Sequence, residues 1–257
     1  MSNPIQKHRF TTHARRLALI SAAGLVVVLV FFSAATYLAS RRAPSFYRQA
    51  LSAPPADALE QGERFERAAL ALHNQVQRPG RWEAALTADE INGWLATELP
   101  AKFPQMLPTG IADPRVAIDG ETFRAAVHYQ RGGIDTVLSI SGEAYLTAQD
   151  NEIAIRLTQA RAGLVPIPLG HVIQEISQRA ERAELSIRWT EVKGSPVALV
   201  RLPLDLADGT GRIVLDRLDT AHNQLLLAGR TESITPDTQG ENRPATALQP
   251  DKDTRQR

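Results

Sequence analysis

Residues 116–131 read VAIDGETFRAAVHYQR, and this stretch predicts a β-hairpin. Apolar and other side chains alternate up to Asp119-Gly120, a dipeptide that favours tight turns between antiparallel strands. After the turn the alternation resumes from Phe123 to Tyr129. One face of each strand is therefore apolar and the other polar, which is the pattern of a sheet buried on one side.

The same period continues on both sides of two further turns, at residues 131–133 and 149–151. The alternation predicts a meander of about four antiparallel strands. An amphipathic helix is expected over residues 170–184, resting on the apolar face of the sheet. Strand patterns return between residues 185 and 229. We therefore expect an α+β domain over residues 80–231, an antiparallel β meander packed with amphipathic helices.

A second decisive stretch, residues 17–38, reads LALISAAGLVVVLVFFSAATYL and has no charged residue. A helix of this length rises roughly 33 Å, about the thickness of the hydrocarbon core of a bilayer. The run is longer than the apolar core of a signal peptide, so we expect a transmembrane helix that is retained. The small residues at 34–35 and 39–40 leave cleavage as the alternative.

The basic residues before the domain predict its orientation. Residues 1–16 carry four lysines and arginines and no acid, so this arm is expected to stay in the cytoplasm. The protein would then span the membrane once, with an extracytoplasmic C-terminal domain. Residues 43–79 are predicted as a juxtamembrane helical segment. Residues 232–257 are polar and are predicted to be a disordered tail.

Composition excludes several classes of function. The chain has no cysteine, so the domain must be stabilised by its core without disulfides. All 28 acidic residues follow residue 56, which leaves the domain mildly acidic and argues against nucleic acid as a partner. No metal-ligand spacing, phosphate loop or nucleophile motif is present. We therefore expect no metal, no cofactor and no enzymatic activity.

A helix with a defined start follows Leu86. Thr87 and Glu90 form a capping box, which predicts a helix from residue 88. Asn92 lies inside it and has two open roles: its side chain bonds a neighbouring strand, or it faces water. Trp94 is expected to pack in the core.

The segment GLVPIPL, residues 163–169, ends the meander. Two prolines remove backbone donors, so the chain must leave the sheet here, and Gly163 lets it bend. The simple interpretation is a corner between strand and helix. The alternative is the lip of an apolar groove that touches an acyl chain or a partner. The candidate lip residues are Leu164, Val165, Pro166, Ile167, Pro168 and Leu169.

Three features together carry a resemblance: the N-terminal anchor, the L-T-x-x-E-I-N-x-W-L helix start at residues 86–95, and the G-x-V-P-I-P segment at residues 163–168. In these the chain resembles uncharacterised single-pass membrane-anchored bacterial envelope proteins and, more distantly, the YpmS-type family of Gram-positive cell surfaces. The resemblance covers about residues 80–185. It implies an architecture and no reaction.

The leading functional hypothesis is a non-enzymatic, membrane-tethered domain whose sheet and helix enclose an apolar groove for a lipid or other hydrophobic ligand. A structural or assembly factor that binds another envelope protein is the second hypothesis. An envelope hydrolase with a site of scattered residues is the third.

Overall fold

The computed structural model describes residues 29, 31, 33, 35–182, 186–202, 211–221 and 223–233. The basic arm 1–16, most of the predicted transmembrane helix 17–38 and nearly all of the predicted tail 232–257 lie outside these residues. Within the described ranges, no helix has both the length and the apolar character needed to cross a bilayer. Residues 35–40 are helical and lead directly into the domain.

From residue 45 to Lys102 the chain is mainly helical, and from Ile111 onward it is mainly strand. The helices are α1 (Ser45–Leu51), α2 (Pro55–Val76), α3 (Ala88–Lys102) and α4 (Leu169–Arg182), with a 3-10 turn at Pro104–Met106. The strands are β1 (Gly80–Thr87), β2 (Ile111–Asp119), β3 (Thr122–Arg131), β4 (Ile134–Leu146), β5 (Glu152–Ala162), β6 (Val165–Pro166), β7 (Ile187–Val192), β8 (Ser195–Arg201), β9 (Gly211–Ala221) and β10 (Gln224–Ser233).

The strands form two antiparallel sheets. The large sheet has the order β2-β3-β4-β5-β8-β7, with β6 paired to the end of β5, and the small sheet has the order β1-β10-β9. The predicted α+β class with an antiparallel sheet and several helices is confirmed. Strand β1 was not predicted, because its partner β10 lies more than a hundred residues away in the chain. Strand β10 continues to Ser233 and so includes the first two residues of the predicted tail.

The register of the large sheet separates an apolar face from a polar one. Strands β2 to β5 align most of their large apolar residues on the same side, while Ala126, Val137 and Ala154 lie on the other side and are buried. We call the former side the apolar face; it includes Val116, Ile118, Phe123, Val127, Leu138, Ile140, Ile153 and Ile155. All eight of these side chains are only half-buried. Among the described residues, no isoleucine or phenylalanine is fully buried. None of the eight side chains is exposed and none is fully buried, so the rest of the domain covers this face only in part.

Helices α2 and α3 cross where both have glycine. A Cβ on Gly93 would lie 2.5 Å from the backbone nitrogen of Gly62 and 2.6 Å from the carbonyl oxygen of Ala58. The two backbones are thus in direct contact, which any larger side chain would prevent. The loss of helix propensity at Gly93 is offset by this close packing.

Candidate functional site

The predicted helix start is present and has a structural role. Thr87 Oγ1 accepts a hydrogen bond from Glu90 N–H at 3.1 Å, and Glu90 Oε2 accepts one from Thr87 N–H at 2.9 Å. This capping box begins α3 at Ala88. Trp94 packs between two aromatic rings, with centroid distances of 5.5 Å to Phe65 and 6.0 Å to Phe103. The contacts of these three motif residues stabilise the helical part.

Of the two roles considered for Asn92, the structure shows the first: its side chain hydrogen-bonds a neighbouring strand. Its Nδ2 donates to the carbonyl oxygen of Val116 at 2.9 Å, and its Oδ1 accepts from the N–H of Val116 at 2.8 Å. Val116 lies on β2, the edge of the large sheet. The amide therefore occupies the position of a neighbouring strand and covers part of an edge that would otherwise be free to pair.

Asn151 performs the same task on the small sheet, and sequence reasoning missed it. Its Nδ2 donates to Ile213 O at 2.8 Å and its Oδ1 accepts from Leu215 N–H at 2.9 Å, both on edge strand β9. The residue lies in the β4–β5 turn with φ of 57° and is buried. The only available signal was its turn position, where asparagine tolerates a left-handed backbone.

Gly163, just after β5, contacts the last residues of the helical stretch 35–40. It has φ of +59°, and a Cβ at this position would overlap the carbonyl oxygen of Ser40. The N–H of Leu164 donates to Ala39 O at 3.0 Å, and Thr136 Oγ1 donates to Ser40 O. We call this contact of residues 39–41 with 135–136 and 163–164 the junction. Glycine is required here because two backbones meet.

The chain leaving the junction is held on the polar face of the sheet. Tyr47 of α1 is 2% exposed and packs against Ala126 and Val137. Its hydroxyl donates to the carbonyl oxygen of Asp113 at 2.9 Å. Burial, with a smaller contribution from the nearby Asp113 carboxylate, raises the pKa of Tyr47 to about 12. No flexible linker separates residues 35–40 from the domain, since α1 packs on the sheet immediately.

The candidate lip residues surround this junction. Val165 and Pro166 pair with the end of β5, and α4 begins at Leu169, so the segment forms the predicted corner. Its side chains are also partly open to solvent. Leu164 is 41% exposed; Pro166 and Pro168 are exposed; Val165, Ile167 and Leu169 are half-buried.

A shallow cleft of about 560 Å³ adjoins the corner between α4 and β7. Its apolar lining includes Leu169, Ile173, Trp189 and Pro196. The indole N–H of Trp189 donates to Ser177 Oγ at 2.8 Å, which ties α4 to the sheet. By the strand register, Trp189 lies on the apolar face. Leu169, the last lip residue, lines this cleft with Trp189 and therefore lies on the same side of the sheet as the half-buried isoleucines.

A second cleft of about 560 Å³ lies at the edge of β2, between α1 and the first turns of α2 and α3. Its lining is polar and includes Gln61, Asp89, Asn92, Arg115 and Asp119. Arg115 is buried and donates to Pro114 O at 2.7 Å, and Arg124 pairs with Asp119 at 3.2 Å. Asn92, Arg115 and the Arg124–Asp119 pair thus bond backbone or one another, and no nucleophile–base pair is present among the described lining residues.

The part of the chain that the structure describes contains no group of three histidine, aspartate or glutamate side chains arranged to hold a metal ion. No family model matches the chain, and no curated protein or solved structure is significantly similar to it.

Proposed function

We propose that the protein is a membrane-anchored, non-enzymatic domain that holds an acyl chain or another hydrophobic ligand on the apolar face of its large sheet. One observation carries this proposal: isoleucine, leucine, valine and phenylalanine side chains from four neighbouring strands lie on that face, and all eight are half-buried. Isoleucine, leucine, valine and phenylalanine are among the residues most often fully buried in soluble domains, so a further apolar partner would complete their burial.

The position of α4 supports a groove along this face. The hydrogen bond from Trp189 to Ser177 holds α4 against the sheet near β5. Leu157 and Ala160 of β5 are buried there. Val127 and Leu138, on the neighbouring strands, remain half-buried. A ligand lying beside α4 would complete the burial of these two side chains. The gain in binding free energy would be about 25 cal/mol for each Å² of apolar surface removed from water.

The position of the junction supports delivery of the ligand from a membrane. Thr136 lies on the apolar face by its register with Tyr129, and it bonds Ser40 directly. Tyr37 and Leu38, just before the junction, are 58% and 62% exposed. We propose that residues 17–38 form the transmembrane anchor, as their length and composition predict. The apolar face would then begin where the anchor leaves the bilayer.

The experiment is photo-cross-linking of the full-length chain in membranes that contain a fatty acid with a photoactivatable acyl chain. Labelled peptides are mapped by mass spectrometry. We expect labels on residues of the apolar face, such as Leu138 and Ile140, and not on polar-face residues of the same strands. Labels confined to residues 17–38, or spread evenly over both faces, would contradict the groove.

A pair of variants tests occupancy. Ala125→Trp adds bulk to the middle of the apolar face, next to Ile140, and should reduce the label. Gln159→Trp adds the same side chain on the opposite face, where Gln159 is exposed, and should leave the label unchanged. Equal labelling of both variants would argue against a ligand on this face. If an envelope protein co-purified with the wild-type chain at a fixed stoichiometry and the groove were not labelled, the result would favour the assembly-factor hypothesis instead.

A further inference from the structure

Two exposed apolar side chains flank the point where residues 35–40 enter the domain. Ile134, at the turn between β3 and β4, is 56% exposed, and Leu164, in the corner after β5, is 41% exposed. Leu164 is bonded to Ala39 through its N–H. An isolated exposed apolar side chain is ordinary. These two protrude from neighbouring turns on one end of the domain, beside an exposed apolar helical stretch.

Basic side chains surround the same end. Arg41, Arg42 and Arg131 are exposed. The neighbouring carboxylate, Asp135, is shared by Arg41 at 3.9 Å and His128 at 2.8 Å. Arg42 and Arg131 have no carboxylate within ion-pair distance among the described residues. Apolar tips beside unpaired arginines match the chemistry of an anionic bilayer surface, where hydrocarbon lies below negatively charged headgroups.

We propose that this end of the domain rests on an anionic phospholipid surface, with Ile134 and Leu164 inserted among the headgroups. This inference depends on the anchor in the proposed function and adds a second, independent contact with the bilayer. It fixes the orientation of the domain, with β4 rising away from the membrane from Ile134 toward Leu146. The apolar face reaches Thr136 at the docked end, which places the proposed groove next to the bilayer.

The absence of cysteine from the chain permits a direct test on the full-length protein. Single variants Ile134→Cys and Leu164→Cys are labelled with a bimane fluorophore and placed in nanodiscs of phosphatidylglycerol with brominated acyl chains, which quench nearby fluorophores. The matched control is Tyr145→Cys, 39% exposed at the other end of β4 and roughly 37 Å from Ile134 at the rise of an antiparallel strand.

We expect a loss of fluorescence at positions 134 and 164 and none at 145. Quenching at all three positions would overturn the defined orientation. No quenching at any position, with the protein embedded in the nanodisc, would overturn the docking while leaving the anchor intact. Failure of the chain to enter nanodiscs would overturn the anchor and this inference with it.

The electrostatic part is tested by changing the lipid and the arginines separately. Replacing phosphatidylglycerol with brominated phosphatidylcholine leaves the protein unaltered and should weaken quenching at both positions. Arg42→Gln combined with Arg131→Gln should weaken it similarly in phosphatidylglycerol. Quenching that is insensitive to both changes would contradict the role of charge. Far-ultraviolet circular dichroism confirms that each variant is folded before reconstitution.

Discussion

Replacing Gly163 with alanine should open the junction, and the chain supplies a matched control. Gly163 and Gly120 share φ of +59°, so alanine at either position adopts a left-handed backbone at a cost of about 1 kcal/mol. Their surroundings differ. A Cβ on Gly120 meets nothing within 4 Å, whereas a Cβ on Gly163 overlaps Ser40 and lies 2.7 Å from the carbonyl oxygen of Ala39.

The overlap at Gly163 involves backbone on both sides, so a side-chain rotation cannot relieve it. Residues 39–40 must move, which breaks the Leu164 N–H···O Ala39 bond of 3.0 Å and the bond from Thr136 to Ser40. Two such bonds contribute about 2 kcal/mol net. This corresponds to a roughly 30-fold larger population of the opened junction, at 1.4 kcal/mol for each factor of ten.

Native-state hydrogen exchange at the Leu164 amide measures this opening. We expect exchange roughly 30-fold faster in Gly163→Ala than in the wild-type protein, and unchanged in Gly120→Ala. Global stability should fall by about 1 kcal/mol in Gly120→Ala, which carries only the backbone penalty, and by up to about 3 kcal/mol in Gly163→Ala, which also loses the two bonds. Equal Leu164 exchange in the two variants would refute the reasoning, since it would mean that the contact between Gly163 and Ser40 has no energetic consequence.

Three further predictions concern the scaffold. Asn151→Ala removes two hydrogen bonds to β9 and leaves alanine at φ of 57°. The free energy of unfolding measured in urea should therefore fall by about 3 kcal/mol. The control Asn74→Ala, at an exposed position, should change that free energy by less than about 0.5 kcal/mol. Gly93→Ala forces α2 and α3 apart and should lower the thermal midpoint although alanine favours helix by about 1 kcal/mol; a higher midpoint would contradict the crossing. Because the folded state holds the pKa of Tyr47 near 12 against an ordinary 10.0, it keeps a proton that the unfolded state releases, so stability should decrease as pH rises between these values. Tyr47→Phe should make that decrease smaller in urea midpoints measured across the same pH window, and an unchanged decrease would contradict the role of Tyr47.

Local features of the domain were predictable from short stretches of sequence. The capping box of Thr87 and Glu90 and the Asp119-Gly120 hairpin involve residues within three positions of each other, and both are present. Gly142 interrupts the strand pattern, as glycine often does at a bulge, and the β4–β5 pairing shifts register there. Alternation of apolar residues correctly assigned the two faces of the meander. These features depend on neighbours in the chain, and local sequence contains those neighbours.

Sequence alone determined that residues 116–162 form an antiparallel sheet with one apolar face and that residues 17–38 are apolar enough to span a bilayer, because periodicity and hydropathy are properties of consecutive residues; it did not predict that α1 covers the other face of the sheet, where Ala126 and Val137 are buried. Only the tertiary structure decided what Asn92, Asn151 and Gly163 do. Their partners are Val116, the backbone of β9 and Ser40, each at least 24 positions away, and no local pattern specifies which distant backbone a side chain or a glycine will meet. The tertiary structure likewise decided that the apolar face is left partly open, because burial depends on where distant helices and strands come to rest.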